Sequence, residues 1–105
     1  MQGCYLIHFD EKHMHAQHYI GCSEHIGWRI QRHLNNTGAA LLRHLNKIGI
    51  RWNVVRIWET HNEAERYQLE KQLKSRKKAA ELCPICNPRV NVDQQLVKKA
   101  VTYKP

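Results

Sequence analysis

Cys4-Tyr5-Leu6-Ile7-His8-Phe9 is a short apolar run rich in β-formers, and it reads as a strand. Asp10 to His15 is polar and predicts a turn. Gln17-His18-Tyr19-Ile20-Gly21-Cys22 then predicts a second strand, returning antiparallel to the first. Ser23 is placed to cap a helix running to about Asn35, with Ile26, Ile30, His33 and Leu34 on one stripe. Asn35-Asn36-Thr37-Gly38 breaks the chain. A second helix is expected from Ala39 to Ile48 around Leu41, Leu42 and Leu45, with Gly49 where a C-terminal cap belongs.

Trp52-Asn53-Val54-Val55-Arg56-Ile57-Trp58-Glu59 is the clearest strand. Strict alternation points Val54 and Trp58 to one face and Val55 and Ile57 to the other, so both faces are expected to be partly covered. Thr60-His61-Asn62-Glu63 fits a capping box opening a long helix to about Lys78. Pro84 and Pro88 exclude regular structure around Cys83-Pro84-Ile85-Cys86. A short helix from Val97 to Val101 is expected in the tail. The order β-β-α-α-β-α defines an α/β (α+β) chain: a small three-stranded antiparallel sheet flanked by helices.

The chain has 105 residues, 42% hydrophobic and 25% charged, which fits one domain with an ordinary core and argues against disorder. No apolar run approaches the ~20 residues of a membrane span, and Met1-Gln2-Gly3-Cys4 carries no signal pattern, so a soluble, cytoplasmic protein without membrane contact is expected. Seventeen Lys and Arg against nine Asp and Glu give a net charge of +8. Such an excess attracts polyanions, nucleic acid first among them, although many small proteins are basic merely for solubility. Cys4 and Cys22 sit inside apolar runs. Free thiols, or a metal site involving Cys83 and Cys86, are therefore expected in preference to a disulfide framework.

Two positions suggest phosphate chemistry. Arg29 and His33 are four apart and share one side of a helix, where a guanidinium fork and an imidazole suit a phosphate. The plainer reading is a solvated Arg beside a partly buried His. Glu70 is a carboxylate facing a basic segment, which a hard divalent ion would explain, since Mg²⁺ takes one or two carboxylates. Its plainer reading is an i,i+4 pair with Lys74, worth only ~0.2–0.5 kcal/mol.

Taken together, Gly3-Cys4-Tyr5 in the first strand and Tyr19-Ile20-Gly21 in the second resemble the paired signature of the GIY-YIG endonuclease superfamily. Arg29 and His33 resemble its catalytic Arg and following His. Leu69-Glu70-Lys71-Gln72-Leu73 is similar to the segment around its metal-binding Glu, and Pro88-Arg89-Val90-Asn91 to its closing Asn motif. The resemblance runs from residue 3 to 91, giving a nuclease domain over 1–91, with the Cys-Pro-Ile-Cys turn inside it, and a short basic tail over 92–105. Cys4 stands where the signature has Ile, a departure expected to touch packing alone.

The resemblance implies a metal-dependent endonuclease that hydrolyses DNA phosphodiesters in one displacement. Glu70 would hold Mg²⁺ or Mn²⁺, Arg29 would neutralise the phosphate, and Tyr5 would be the general base. Tyr19 would orient water or bind phosphate, and His33 would relay a proton or fix Tyr5. Gly21 would let substrate backbone come close, and Asn91 would support the site. Lys71, Lys74, Arg76, Lys77 and Lys78 would track the DNA backbone, giving sequence-independent, salt-sensitive affinity. Weak sequence specificity, or preference for DNA shape or single strands, is expected, on duplex, branched or single-stranded DNA. The protein would act as monomer or homodimer, with targeting left to a partner. The alternative is a nucleic-acid-binding module that keeps the fold and does no chemistry.

Other features compete. Cys83 and Cys86 have the spacing of a zinc knuckle, to be completed by Cys4, Cys22 or a histidine, or else they are a redox pair or buried thiols. His13, His15 and His18 are expected in a solvated hairpin loop. Trp28, Trp52 and Trp58 are expected in the core, with Trp28 the one placed, beside Arg29, to stack on an unpaired base.

Overall fold

In a computed structural model, which describes residues 1–75 and 79–90, the elements follow the expected order. Strands β1 (Gly3–His13) and β2 (Ala16–Ser23) form a hairpin, followed by helices α1 (Ile26–Leu34) and α2 (Ala40–Ile48), strand β3 (Trp52–Glu59) and helix α3 (Glu63–Ser75). A 3-10 turn spans Ala79–Glu81. The sheet is antiparallel with order β2-β1-β3, so the first strand is central and the second is an edge. Arg76, Lys77, Lys78, Asn91 and the tail 92–105 lie outside the described residues. No helix among the described residues is long and apolar enough to cross a membrane.

The hairpin turn has Met14 at φ 56°, a left-handed conformation that lets so short a connection reverse the chain. Its register places Tyr5 opposite Gly21, Ile7 opposite Tyr19 and His8 opposite His18. Period-2 alternation then sorts the side chains. Tyr5, Ile7 and Phe9 enter the main core with Ile26 and Ile30 of α1 and Leu42 and Leu45 of α2. Leu6 enters a second, smaller core on the other face with Val55 and Cys83, flanked by Ile20, Trp58 and Leu82.

The third strand departs from strict alternation. Leu6 pairs with Arg56 and Ile7 with Val54, so Val55 is an extra residue in the ladder. This bulge shifts the facing by one position. Val54 and Ile57 therefore share the main core, while Val55 and Trp58 share the smaller one, a correction to the expected grouping.

Three local details also differ from expectation. Helix α1 is preceded by His25, whose N–H donates to Ser23 Oγ at 3.0 Å, so Ser23 closes the turn before the helix instead of capping it. The capping box of α3 sits two residues later than Thr60 and Glu63. Asn62 Oδ1 accepts from the Glu65 N–H at 2.9 Å, and the Glu65 carboxylate accepts from the His61 N–H at 2.8 Å. Thr60 is buried and its Oγ1 has no hydrogen-bond partner among the described residues. Finally, Cys4 and Cys22 are bonded to each other. Opposite positions in the ladder bring their Cα atoms to 4.0 Å, which free thiols read singly from the sequence do not suggest. Helix α2 ends as expected, on Gly49 at φ 83°.

Candidate active site

The apolar stripe of α1 presses Ile26 and Ile30 onto the sheet and carries His33 inward with them. His33 is fully buried. Its Nε2 lies 2.6 Å from Tyr5 Oη, and its Nδ1 accepts the Ala39 backbone N–H at 3.2 Å. A backbone N–H can only donate, so Nδ1 carries the lone pair and the neutral ring bears its hydrogen on Nε2. His33 therefore donates to the Tyr5 oxygen. Burial first, then the charges of Arg29 and Arg32, lowers the His33 pKa to about 4, which keeps this tautomer neutral.

Two glycines make the arrangement possible. A Cβ on Gly38 would run into the His33 ring, and a Cβ on Gly21 would run into the Tyr5 phenol. The space a side chain on Gly21 would need is thus occupied by Tyr5 itself, a reason for glycine there that lies in the packing of the site. Asn46 braces the same region. Its Nδ2 donates to the His33 carbonyl at 3.0 Å, and its Oδ1 accepts from Trp52 Nε1 at 2.8 Å.

Tyr5, Tyr19 and His33 form one aromatic cluster, with ring centroids 6.4 Å apart for the two tyrosines, 5.9 Å for Tyr5–His33 and 5.6 Å for Tyr19–His33. Arg29 acts electrostatically on both Tyr5 and His33. Tyr5 is fully buried, whereas Tyr19 and Arg29 are half-buried. Burial and the neighbouring Tyr19 push the Tyr5 phenol pKa far up, and Arg29 opposes the rise without cancelling it. Four of the five expected catalytic residues therefore meet in one place.

Glu70, the fifth, comes from α3, whose Leu69 and Leu73 line a groove with Trp58 and Leu82 of the smaller core. It lines a separate surface groove of about 340 Å³ with Cys22, Ser23, His25 and Trp28, immediately beside Gly21 and Arg29 in the chain. Its carboxylate accepts from Lys74 Nζ at 2.9 Å, so the i,i+4 pairing is made. Lys71 is exposed on the same helix.

Trp28 is 63% exposed, with the Arg32 guanidinium 5.2 Å from its ring centre, and is not the core residue expected. Trp58 is half-buried; Trp52 alone of the three is fully inside. Arg66 was not anticipated. It is buried on the wall of the groove, held by Gln2 Oε1 at 3.0 Å and by Glu24 and Glu63, each at 3.7 Å. Helical spacing alone did not mark it, because an Arg at that position reads as solvated.

Cys83 and Cys86 lie on the other face of the sheet from Tyr5, beside His8 and His18. Burial lowers the pKa of both imidazoles, with the Asp10 charge opposing it at His8 and the His8 ring adding to it at His18. Burial, with Cys83 alongside, raises that of the Cys86 thiol. His18 thus leaves the solvated loop expected for it, while the His13 ring lies tilted against His44, centroids 4.8 Å apart. The signal lay in the hairpin register: once Tyr5 faces Gly21, His8 must face His18.

Comparison with curated proteins and with solved structures gives no match. The family model described as the GIY-YIG catalytic domain matches residues 1–82, which hold all five of these catalytic candidates. With a strand tyrosine held by a helix histidine and an arginine acting on both, the chain belongs to the GIY-YIG catalytic-domain family, whose activity is endonucleolytic hydrolysis of nucleic acid.

Proposed function

We propose that the protein is a divalent-metal-dependent endonuclease that hydrolyses DNA phosphodiesters with weak sequence specificity and a preference for distorted or single-stranded substrate. The observation that carries this reading is the Tyr5–His33 contact at 2.6 Å with Arg29 beside it. Such an arrangement fixes one phenol oxygen between a neutral donor and a cation.

The groove residues fit a hard divalent ion. Glu70 and Glu24 both line it, and Mg²⁺ or Mn²⁺ takes one or two carboxylates, with water and phosphate for the rest. The Glu70–Lys74 pair is exposed and weak enough, at roughly 0–1 kcal/mol, to give way. When bound at Glu70, the ion would supply Lewis acidity to the scissile phosphate and stabilise the leaving oxygen.

The chain's own residues divide the remaining work. Arg29 neutralises charge that builds on the phosphate oxygens. Tyr5 accepts the proton of the attacking water, and it does so as phenolate. In the free protein it is a buried phenol; Arg29 beside it favours the phenolate, so the reactive form is the fraction that has lost its proton to solvent while Arg29 stays in place. His33 cannot take that proton, because its Nε2 already bears one; it donates to the phenolate and holds it in place. Trp28 offers an exposed ring on which an unpaired base stacks, which supports single-stranded or distorted DNA as substrate.

One observation favours a second reading, a nucleic-acid-binding module without chemistry: Glu70 is already paired with Lys74. A cleavage assay with Mg²⁺ or Mn²⁺ on duplex, branched and single-stranded DNA decides between them. Glu70→Ala and Arg29→Ala are expected to abolish cutting while binding persists. Wild-type cutting by Glu70→Ala overturns the metal assignment. A salt-dependent gel shift with no cutting under either metal establishes the second reading.

A further inference from the structure

On the sheet face opposite Tyr5, four donor atoms converge. His8 and His18 face each other across the β1–β2 ladder, and Cys83 and Cys86 come from the turn after α3. His8 Nδ1 lies 3.3 Å from His18 Nε2 and 3.5 Å from Cys83 Sγ. Cys86 Sγ lies 3.7 Å from His8 Nδ1 and 3.5 Å from His18 Nε2. All four atoms are within 4.8 Å of one another.

Hydrogen bonding does not account for this grouping. A neutral imidazole nitrogen offers one lone pair or one hydrogen, yet His8 Nδ1 has three such neighbours at once. Tetrahedral coordination does account for it. Zinc bonds of about 2.0–2.1 Å to nitrogen and 2.3 Å to sulfur require edges of about 3.4 Å between nitrogens and 3.6 Å between nitrogen and sulfur. Four of the six separations match those edges, and the other two, from Cys83 to His18 and to Cys86, are within 4.8 Å.

We infer that His8, His18, Cys83 and Cys86 form a structural Cys₂His₂ zinc site. Two thiolates and two imidazoles select a soft or borderline ion over the hard ion suited to Glu70. Four protein ligands leave no open position, which marks the site as structural. Binding releases both thiol protons to solvent as the two zinc–sulfur bonds form, and both imidazoles coordinate neutral.

The sequence prepares the turn for this. Cys83 is buried against Leu6 and Val55, and the Asn87 N–H donates to the Cys83 carbonyl at 2.8 Å, curling the loop so that both sulfurs aim at the hairpin. The ion would therefore pin the segment 79–90 onto the sheet. Two of the ligands, Cys83 and Cys86, lie past residue 82, where the family match ends, and the site stands whether or not the nuclease reading does.

Metal analysis of the whole chain, purified under reducing conditions without chelator, tests this. Stoichiometric zinc is expected, and replacement by Co²⁺ should give a thiolate charge-transfer band with tetrahedral ligand-field bands. Cys86→Ser and His18→Gln, at exposed and half-buried positions, should lose the zinc and the band, while Glu70→Gln keeps both. Folded wild-type protein that takes up no zinc from an equimolar solution overturns the site. So does a Co²⁺ complex lacking the thiolate band, or a folded Cys86→Ser, His18→Gln double variant that retains zinc. The cobalt spectrum is read on wild-type protein, so a variant that fails to fold leaves the test intact.

Discussion

His33 Nε2 lies 2.6 Å from Tyr5 Oη, and the Ala39 amide on the other ring nitrogen makes His33 the donor in that pair. The phenol oxygen is therefore an acceptor already in the resting protein, while burial keeps its own hydrogen in place at neutral pH. Removing that oxygen by Tyr5→Phe should lower kcat by about 10²–10⁴-fold, the usual range for a general base. It also strands the buried His33 N–H, at about 1–3 kcal/mol of stability. Because the Tyr5 pKa is raised in the free protein, the deprotonated fraction grows throughout the neutral range, and kcat/KM should climb about tenfold per pH unit there. A pH–rate profile that is flat through neutrality would remove Tyr5 from the role of base.

Acid should destabilise the fold through His33. Its pKa is about 4 in the folded protein against an ordinary 6.5, held down by burial and by Arg29 and Arg32. The unfolded chain therefore binds a proton first, and stability present above 6.5 is lost as pH falls toward 4, by about 3 kcal/mol in all. Denaturation midpoints of wild type should fall across that window, and those of His33→Gln should fall less. Parallel curves would refute this account.

Gly21→Ala places a methyl group inside the Tyr5 ring. Overpacking of this kind costs about 1–3 kcal/mol, and here it must also move the phenol away from His33. Loss of activity greater than loss of folded protein is expected, read as kcat per mole of folded enzyme by circular dichroism and active-site titration.

Trp28→Ala should leave stability within about 0.5 kcal/mol, since the ring is exposed. If the ring stacks on an unpaired base, affinity for single strands falls by about 1–3 kcal/mol, with duplex binding less affected. Equal affinities for wild type and variant on single-stranded DNA would exclude the stacking role.

The start of α3 separates two local readings. Asn62→Ala should cost about 1 kcal/mol through the lost cap. Thr60→Val should be nearly neutral, because the buried Thr60 hydroxyl has no partner to lose among the described residues. The reverse ranking of thermal midpoints would restore the cap to Thr60.

Much was legible from residue order alone. Short-range rules place the strands, the helices and the Gly49 cap, because period, turn chemistry and capping act over a few residues. The joint placement of Tyr5, Tyr19, Arg29, His33 and Glu70 marked the family, since helix and strand geometry carries their spacing into space. Tertiary structure alone decided what depends on which strand meets which. The extra residue at Val55 regrouped the two cores, because a bulge is a property of a strand pair. Cys4 joined Cys22, and His8 and His18 met Cys83 and Cys86, because ladder register and the return of the chain after α3 bring together groups far apart in sequence. The packing demand on Gly21 was likewise visible only in three dimensions, because the Tyr5 ring that a Cβ would strike comes from the facing strand.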